Sequence, residues 1–231
     1  MTGRFNRDPC IAHVARWIAC QGCRLCPVRE QAERFLARLY PRADDFSFRT
    51  FSDTGYTRVS SHDPLERAIH GSLAACWGEL AQLNRQGAAI TVTINQTNGK
   101  GRDIVDIRRV RALFVDDDLG GDPGRFPLEP HIQVETSAAH YHYYWLVQDI
   151  PLQDFPSCQQ RLATRYGGDT RVQALNQSMQ LPGFWRRKRV LQPCFPRLLK
   201  TRGEAAYGQR DVEKLIGPFR LDSAGSRSFA G

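Results

Sequence analysis

The stretch Arg111–Leu119, RALFVDDDL, constrains the fold more than any other. Ala112 to Val115 are apolar, and three aspartates follow at once. A short apolar run of this kind reads as a buried strand. Side chains alternate between the two faces of a strand, so Asp116 and Asp118 share one face and Asp117 points to the other. Two carboxylates at the end of a buried strand repel one another and lose hydration unless something neutralises them. A divalent cation is the simplest partner, because carboxylate oxygens are its natural hard ligands. The competing reading is a strand that runs out into an acidic, solvated turn, since Gly120, Gly121 and Pro123 follow.

The rest of the chain suits a small sheet covered by helices. Val28, Ala32, Phe35, Leu36 and Leu39 recur at helical spacing, which predicts a helix over 28–40 ended by Pro41. Phe46 and Phe48 alternate with polar residues as in a strand. A second helix is expected over 63–86, with Asp63 as its cap and Pro64 at its first position. The β-branched run at 88–97 reads as a strand, and Asn98–Gly101 as a turn. A short helix is expected over 104–110, leading into the aspartate strand. Segments 131–137 and 140–148 read as an antiparallel hairpin turning at Ala138–Ala139. Both faces of its second strand are largely aromatic or apolar, which suits a central strand. His140 is read as a turn residue.

A helix over 153–166 ends at Gly167–Gly168, glycines that permit the backbone to bring Asp169 back toward the sheet edge. Residues 170–180 look weakly helical, and 205–217 are expected to hold one more small helix. Strands and helices interleave without the regular repeat of a doubly wound sheet. The expected fold class is α+β, with a small mixed or antiparallel sheet and packed helices. Neither a P-loop nor GxGxxG is present, so an ATPase motor or a dinucleotide enzyme is not indicated. Residues 1–27 read as an appendage, 28–217 as one domain, and the polar tail 218–231 as disordered.

Net charge is +8, which suits a polyanionic partner. Arg186–Arg189, Arg197, Lys200 and Arg202 form a basic stretch free of acids. No apolar run approaches the roughly 18 residues of a membrane span, and the polar start lacks a signal-peptide core. A cytoplasmic protein with no membrane partner is expected. Cys20, Cys23 and Cys26 lie close together, with Cys10 and His13 upstream. They allow a structural Zn²⁺, but no second well-spaced pair follows, and free thiols are the favoured state.

Several segments, in order, now carry a resemblance. They are ITVTIN at 90–95, FVDDD at 114–118, VETSAAHYHYYWLV at 134–147, YGGD at 166–169 and LPGFWRRK at 181–188. From about Ala32 to Lys188 the chain resembles the plasmid- and phage-associated replication primases of the RepB type, within the archaeo-eukaryotic primase superfamily. The resemblance implies an RRM-like palm that makes, and in some members extends, primers on single-stranded DNA with nucleoside triphosphates and Mg²⁺ or Mn²⁺. It implies Asp116, Asp118 and Asp169 as metal ligands, and His142 and Ser137 as contacts to nucleotide phosphates. Arg186 and Lys188 fall where phosphate or template contacts are expected. Phe184 and Trp185, beside Arg186, Arg187, Lys188 and Arg189, are candidates for stacking on template bases; the competing reading makes both core anchors and is the favoured one for Phe184. A helicase would be a separate partner.

The chain departs from that pattern at Gln180, where relatives carry an arginine, and at Ala174 and Gln177 nearby. A glutamine cannot reproduce a bidentate phosphate contact. These departures motivate a second reading, a non-catalytic DNA-binding replication protein on the same fold. A third reading rests on His140–Tyr141–His142, which looks like the metal site of single-strand nickases; it requires a nucleophilic tyrosine, for which Tyr166 and Tyr207 are the candidates.

Overall fold

The aromatic hairpin forms the centre of one sheet. Strands β7 (Ile132–Ser137) and β8 (His140–Leu146) pair antiparallel, and Ala139 takes a left-handed φ of 61° in the turn between them. The computed structural model describes residues 25–41, 45–53, 63–117, 126–188 and 192–219. Asp118, Arg189, Cys20, Cys23 and most of the tail therefore lie outside the described residues. On the other side of β8 lies the aspartate strand β6 (Ala112–Asp117), with Asp116 directly opposite His142. Strand β10 (Arg197–Thr201) completes the order β10-β7-β8-β6. His140 belongs to strand β8 rather than to the turn.

A second four-stranded sheet has the order β2-β1-β3-β9, from β1 (Phe46–Ser52), β2 (Arg67–Gly71), β3 (Ala88–Thr93) and β9 (Ser178–Gln180). The named ladders are all antiparallel. β4 (Gln96–Thr97) and β5 (Ile107–Arg109) form a two-stranded arm joined through a 3₁₀ turn at Ile104–Asp106. Helix α1 (Arg29–Leu39) buries Ala32, Phe35, Leu36 and Leu39, as its periodicity predicts, and sets Phe35 edge-on to Tyr144 at 5.4 Å. Helix α3 (Phe155–Tyr166) packs Phe155, Cys158 and Leu162 inward, and α4 (Gln209–Ile216) packs Val212, Leu215 and Ile216. The fold class is the expected one, with the β-structure divided into two sheets. Among the described residues no helix is long and apolar enough to cross a membrane.

Three local expectations do not hold. The helix expected over 63–86 is shorter: α2 runs Leu73–Gln86 and is capped by Ser72, whose hydroxyl accepts from the Ala75 N–H. The preceding residues pair with β1 instead, and Asp63 accepts from the backbone and hydroxyl of Ser52. An apolar stripe cannot register that the edge of β1 needs a partner. The helix expected over 104–110 is the 3₁₀ turn followed by β5, since Ile107 and Arg109 pair with β4. Residues 178–180, read as weakly helical, form β9 on the edge of β3.

His131 is fully buried between two backbone groups. Its Nδ1 accepts from the Leu146 N–H at 3.0 Å, and its Nε2 lies 2.9 Å from the Ala205 carbonyl. One nitrogen must therefore accept, which requires the neutral ring. Burial pulls its pKa below the ordinary value, and the charges of Arg38 and Arg202 add to this. A histidine held neutral in the fold contributes its full stability above the ordinary pKa of about 6.5 and loses it as pH falls through that value, because the unfolded chain takes the proton first. In urea titrations, stability is expected to fall between about pH 7 and 5, and the fall to be shallower in His131→Gln.

Candidate active site

Asp116 sits near the end of β6 and takes its setting from β8. His142 Nε2 lies 3.2 Å from Asp116 Oδ1, and His142 Nδ1 lies 3.1 Å from the Tyr144 hydroxyl. Tyr144 is fully buried; burial first, and the Asp116 charge second, raise its pKa well above the ordinary value. It therefore stays protonated. The Tyr144 hydroxyl and the Asp116 carboxylate thus hold the two ring nitrogens of His142, with Nε2–H directed at Asp116. Burial pushes the Asp116 carboxyl upward, but the hydrogen bond and charge of His142 outweigh it and hold the group below the usual carboxylate range. Asp116 is thus ionised at neutral pH.

The Gly167–Gly168 bend delivers Asp169 to the same edge. Gly167 ends α3 in a left-handed conformation, φ 70°, and the Asp169 N–H donates to the Asp116 carbonyl at 3.1 Å. The Asp169 carboxylate is gripped by the Arg171 guanidinium at 3.0 and 2.9 Å, and hydrogen bonds from Arg171 lower its pKa. Its negative charge still opposes that of Asp116. A Cβ on Gly168 would stand 2.9 Å from Val115 Cγ1 and 3.3 Å from the Asp116 carbonyl oxygen. Gly168→Ala is therefore expected to cost about 1–3 kcal/mol in denaturant unfolding.

A second contact fixes the outer edge of β6. The buried Gln159 side chain of α3 accepts from the Phe114 N–H at 3.2 Å and donates to the Phe114 carbonyl, so one side chain does the work of a neighbouring strand. Nothing in the spacing of the sequence singles out Gln159.

Asp116 and His142 line a cleft of about 270 Å³ between the two sheets. The facing wall comes from β1, β3 and β9 and includes Arg49, Thr91, Gln180 and Arg186. Arg186 is held by Asp53, which meets its guanidinium at 3.0 Å and also accepts the Arg187 N–H. Its Nη1 donates to Gln180 Oε1 at 2.7 Å. The wall opposite the carboxylate thus carries two guanidinium groups, Arg186 paired with Asp53 and Arg49 paired with Glu66, each at 3.0 Å. Arg49 and Asp53 are missed by sequence reasoning, because they lie outside every motif, and Thr91, though within ITVTIN, is not singled out by it.

Other candidates fall outside this cleft. Ser137 pairs with His140 at the hairpin end and does not line it. Lys188 is exposed away from it, and Arg187 reaches the Arg85 carbonyl at 3.1 Å. Trp185 is only 9% exposed; its ring packs on Phe195 and its Nε1–H donates to the Cys26 carbonyl. Phe184 is fully buried, in keeping with a core anchor. Gln177 lines the cleft and Ala174 does not, though its carbonyl accepts the Gln177 N–H. The phenols of Tyr166 and Tyr207 donate to the Leu215 and Glu129 carbonyls, and neither lines the cleft. Among the described residues no three His, Cys, Asp or Glu side chains gather around one point; Asp118 is not among those residues. Of the cysteine cluster only Cys26 is described, and its sulfur is disulfide-bonded rather than a free thiol.

Comparison with known proteins gives this geometry a context. No curated protein matches the chain. Among solved structures, the fold is similar to the AEP domain of the cyanophage S-2L primase-polymerase, with a TM-score of 0.63 and 18% identity over 83% of this chain and 99% of that one. It is similar to primase RepB′ at a TM-score of 0.54 and 19% identity, covering 77% of this chain and 58% of RepB′. The catalytic domain of RepB′ in complex with initiator DNA gives a TM-score of 0.53 and 20% identity, over 77% of this chain and 87% of that domain. At these identities the likeness establishes the fold, a primase-palm arrangement of antiparallel sheets with packed helices. The model of the RepB DNA-primase N-terminal domain matches residues 46–214, a span that holds both sheets, the cleft and the Asp116–His142 pair. The chain belongs to the RepB DNA-primase N-terminal domain family.

Proposed function

We propose that the chain is a DNA-dependent primase and primer-extending polymerase, acting on single-stranded DNA in plasmid, phage or mobile-element replication. The observation that carries this reading is an ionised Asp116 facing a cleft whose far wall presents the guanidinium groups of Arg49 and Arg186. The similarity to a RepB′ catalytic domain in complex with initiator DNA supports a nucleic-acid partner.

The donor set fits a divalent cation. The charge of Asp169 opposes that of Asp116, and hard oxygen ligands of like charge are what such an ion relieves. Mg²⁺ or Mn²⁺ would be held by Asp116, Asp118 and Asp169. When bound, the ions supply activation of the primer 3′-hydroxyl and a counter-charge for the leaving pyrophosphate. The chain's own groups do the rest. Tyr144 and His142 fix the Asp116 carboxylate, and Arg186 and Arg49 offer positive charge to the nucleotide phosphates from the opposite wall. His142, which lines the cleft, is a proposed contact to those phosphates, whereas Ser137 lies outside it. Although position 180 is a glutamine, Arg186 donates to its side chain, so that wall keeps a guanidinium.

The test is primer synthesis and extension on single-stranded DNA, with ribo- and deoxyribonucleotides tried separately and with Mg²⁺ and Mn²⁺. Incorporation sustains the reading. DNA binding without incorporation under every condition overturns it and leaves the non-catalytic replication protein.

A further inference from the structure

The β4–β5 arm presents a feature that the cleft does not use. Ile104 and Val105, at its 3₁₀ turn, are 57% and 79% exposed, although both are apolar and β-branched. Around them stand Lys100, Arg108 and Arg109, all exposed, and Arg102, half-buried. No ion pair to any of these cations is found among the described residues. Of the two acids in the turn, Asp106 is occupied internally: its carboxylate accepts from Asn98 Nδ2 at 2.8 Å and from the Asp103 N–H at 3.0 Å. Asp103 remains exposed.

The turn is held in one shape. Asn98 Oδ1 accepts the N–H groups of Lys100 and Gly101 at 2.8 and 3.2 Å, and the Asn98 N–H donates to the Asp106 carbonyl at 2.8 Å. A Cβ on Gly101 would stand 2.0 Å from Asp106 Oδ2, so any side chain there would have to displace that carboxylate from its hydrogen bonds. Ile107 and Val110 anchor the arm in the core. The two apolar side chains are thus held out into solvent by a braced turn, with cations on either side in sequence.

Phosphates and bases together match this surface: the cations suit phosphodiester oxygens, and an apolar tip suits the face of an unstacked base or a sugar. We infer that the β4–β5 arm grips single-stranded nucleic acid, with Lys100, Arg102, Arg108 and Arg109 on the phosphates and Ile104–Val105 against bases. The inference rests on the nucleic-acid reading above and adds a second contact. The arm adjoins the start of β6, whereas Asp116 lies near its end, about 15 Å along the strand at roughly 3.3 Å per residue. Single-stranded DNA is the source favoured over duplex, because its base faces are open to an apolar side chain.

The test measures binding of labelled single-stranded and duplex oligonucleotides to the full chain across a salt series, without nucleotide or metal. Two variants run beside the parent: Lys100→Ala, Arg108→Ala, Arg109→Ala together, and Ile104→Ser, Val105→Ser together. All five positions are exposed, and circular dichroism checks the fold. The triple charge variant is expected to flatten the slope of log affinity against log salt by roughly 2, at about 0.7 per phosphate contact on single strands. The apolar variant should weaken single-strand binding roughly three- to tenfold at every salt with the slope unchanged. Parent-like binding by both variants overturns the role of the arm, and a loss confined to duplex overturns the single-strand assignment. A parent that binds neither DNA overturns the nucleic-acid reading itself.

Discussion

An Asp116→Asn chain is expected to lose nucleotide incorporation by about 10³-fold or more while binding DNA as the parent does. The substitution is nearly isosteric, and the amide oxygen can still accept from His142 Nε2, so the pairing of β6 with β8 should survive. What disappears is the negative charge that His142 keeps ionised against the cost of burial. A neutral amide is a poor ligand for a hard dication and does not attract one to the cleft. The assay is primer extension on single-stranded DNA, beside a melting curve and a DNA-binding isotherm. Loss of incorporation with both controls unchanged places the chemistry at this carboxylate. Incorporation within tenfold of the parent would remove Asp116 from the proposed metal site.

The second large effect is on stability. Asp53 has a side chain only 2% exposed, and it holds the Arg186 guanidinium and the Arg187 N–H together. Asp53→Ala leaves a half-buried guanidinium without its counter-charge and an amide without its acceptor. Breaking a buried pair from one side typically costs about 3–5 kcal/mol, which in a domain of this size lowers the melting temperature by roughly 6–20 °C. Asp53→Asn keeps an acceptor oxygen and should lose less. Arg186 also lines the cleft, so a folded remnant of Asp53→Ala should show a raised KM for nucleotide. A melting temperature within about 2 °C of the parent would show that the pair contributes little, as exposed pairs do.

The two effects differ in how they could be foreseen. Asp116 stands in a run of three aspartates at the end of an apolar strand, a pattern whose chemistry is local. Asp53 is separated from Arg186 by most of the domain, and neither flank of Asp53 marks it as buried. The same contrast runs through the fold. The hairpin at 132–146, helix α1 and the Gly167–Gly168 bend were legible, because each depends on contacts within a few residues: strand alternation, helical spacing, or a left-handed glycine. Segments 67–71, 107–109 and 178–180 were not legible as strands, because each is held by an edge contributed from elsewhere in the chain.

By itself, then, the sequence determined where the acidic strand ends, which face Asp116 occupies, and that a glycine bend could return Asp169 to it. Alternation and glycine geometry are properties of adjacent residues and need no partner. Only the tertiary structure decided that the β-structure divides into two sheets and that a cleft lies between them. It alone brought Arg49 and Arg186 opposite Asp116, and it alone set Gln159 against Phe114 as a substitute strand. Those are pairings between distant segments. They are chosen by which exposed edge or unpaired charge remains once the local elements have formed, and no short-range pattern encodes that remainder.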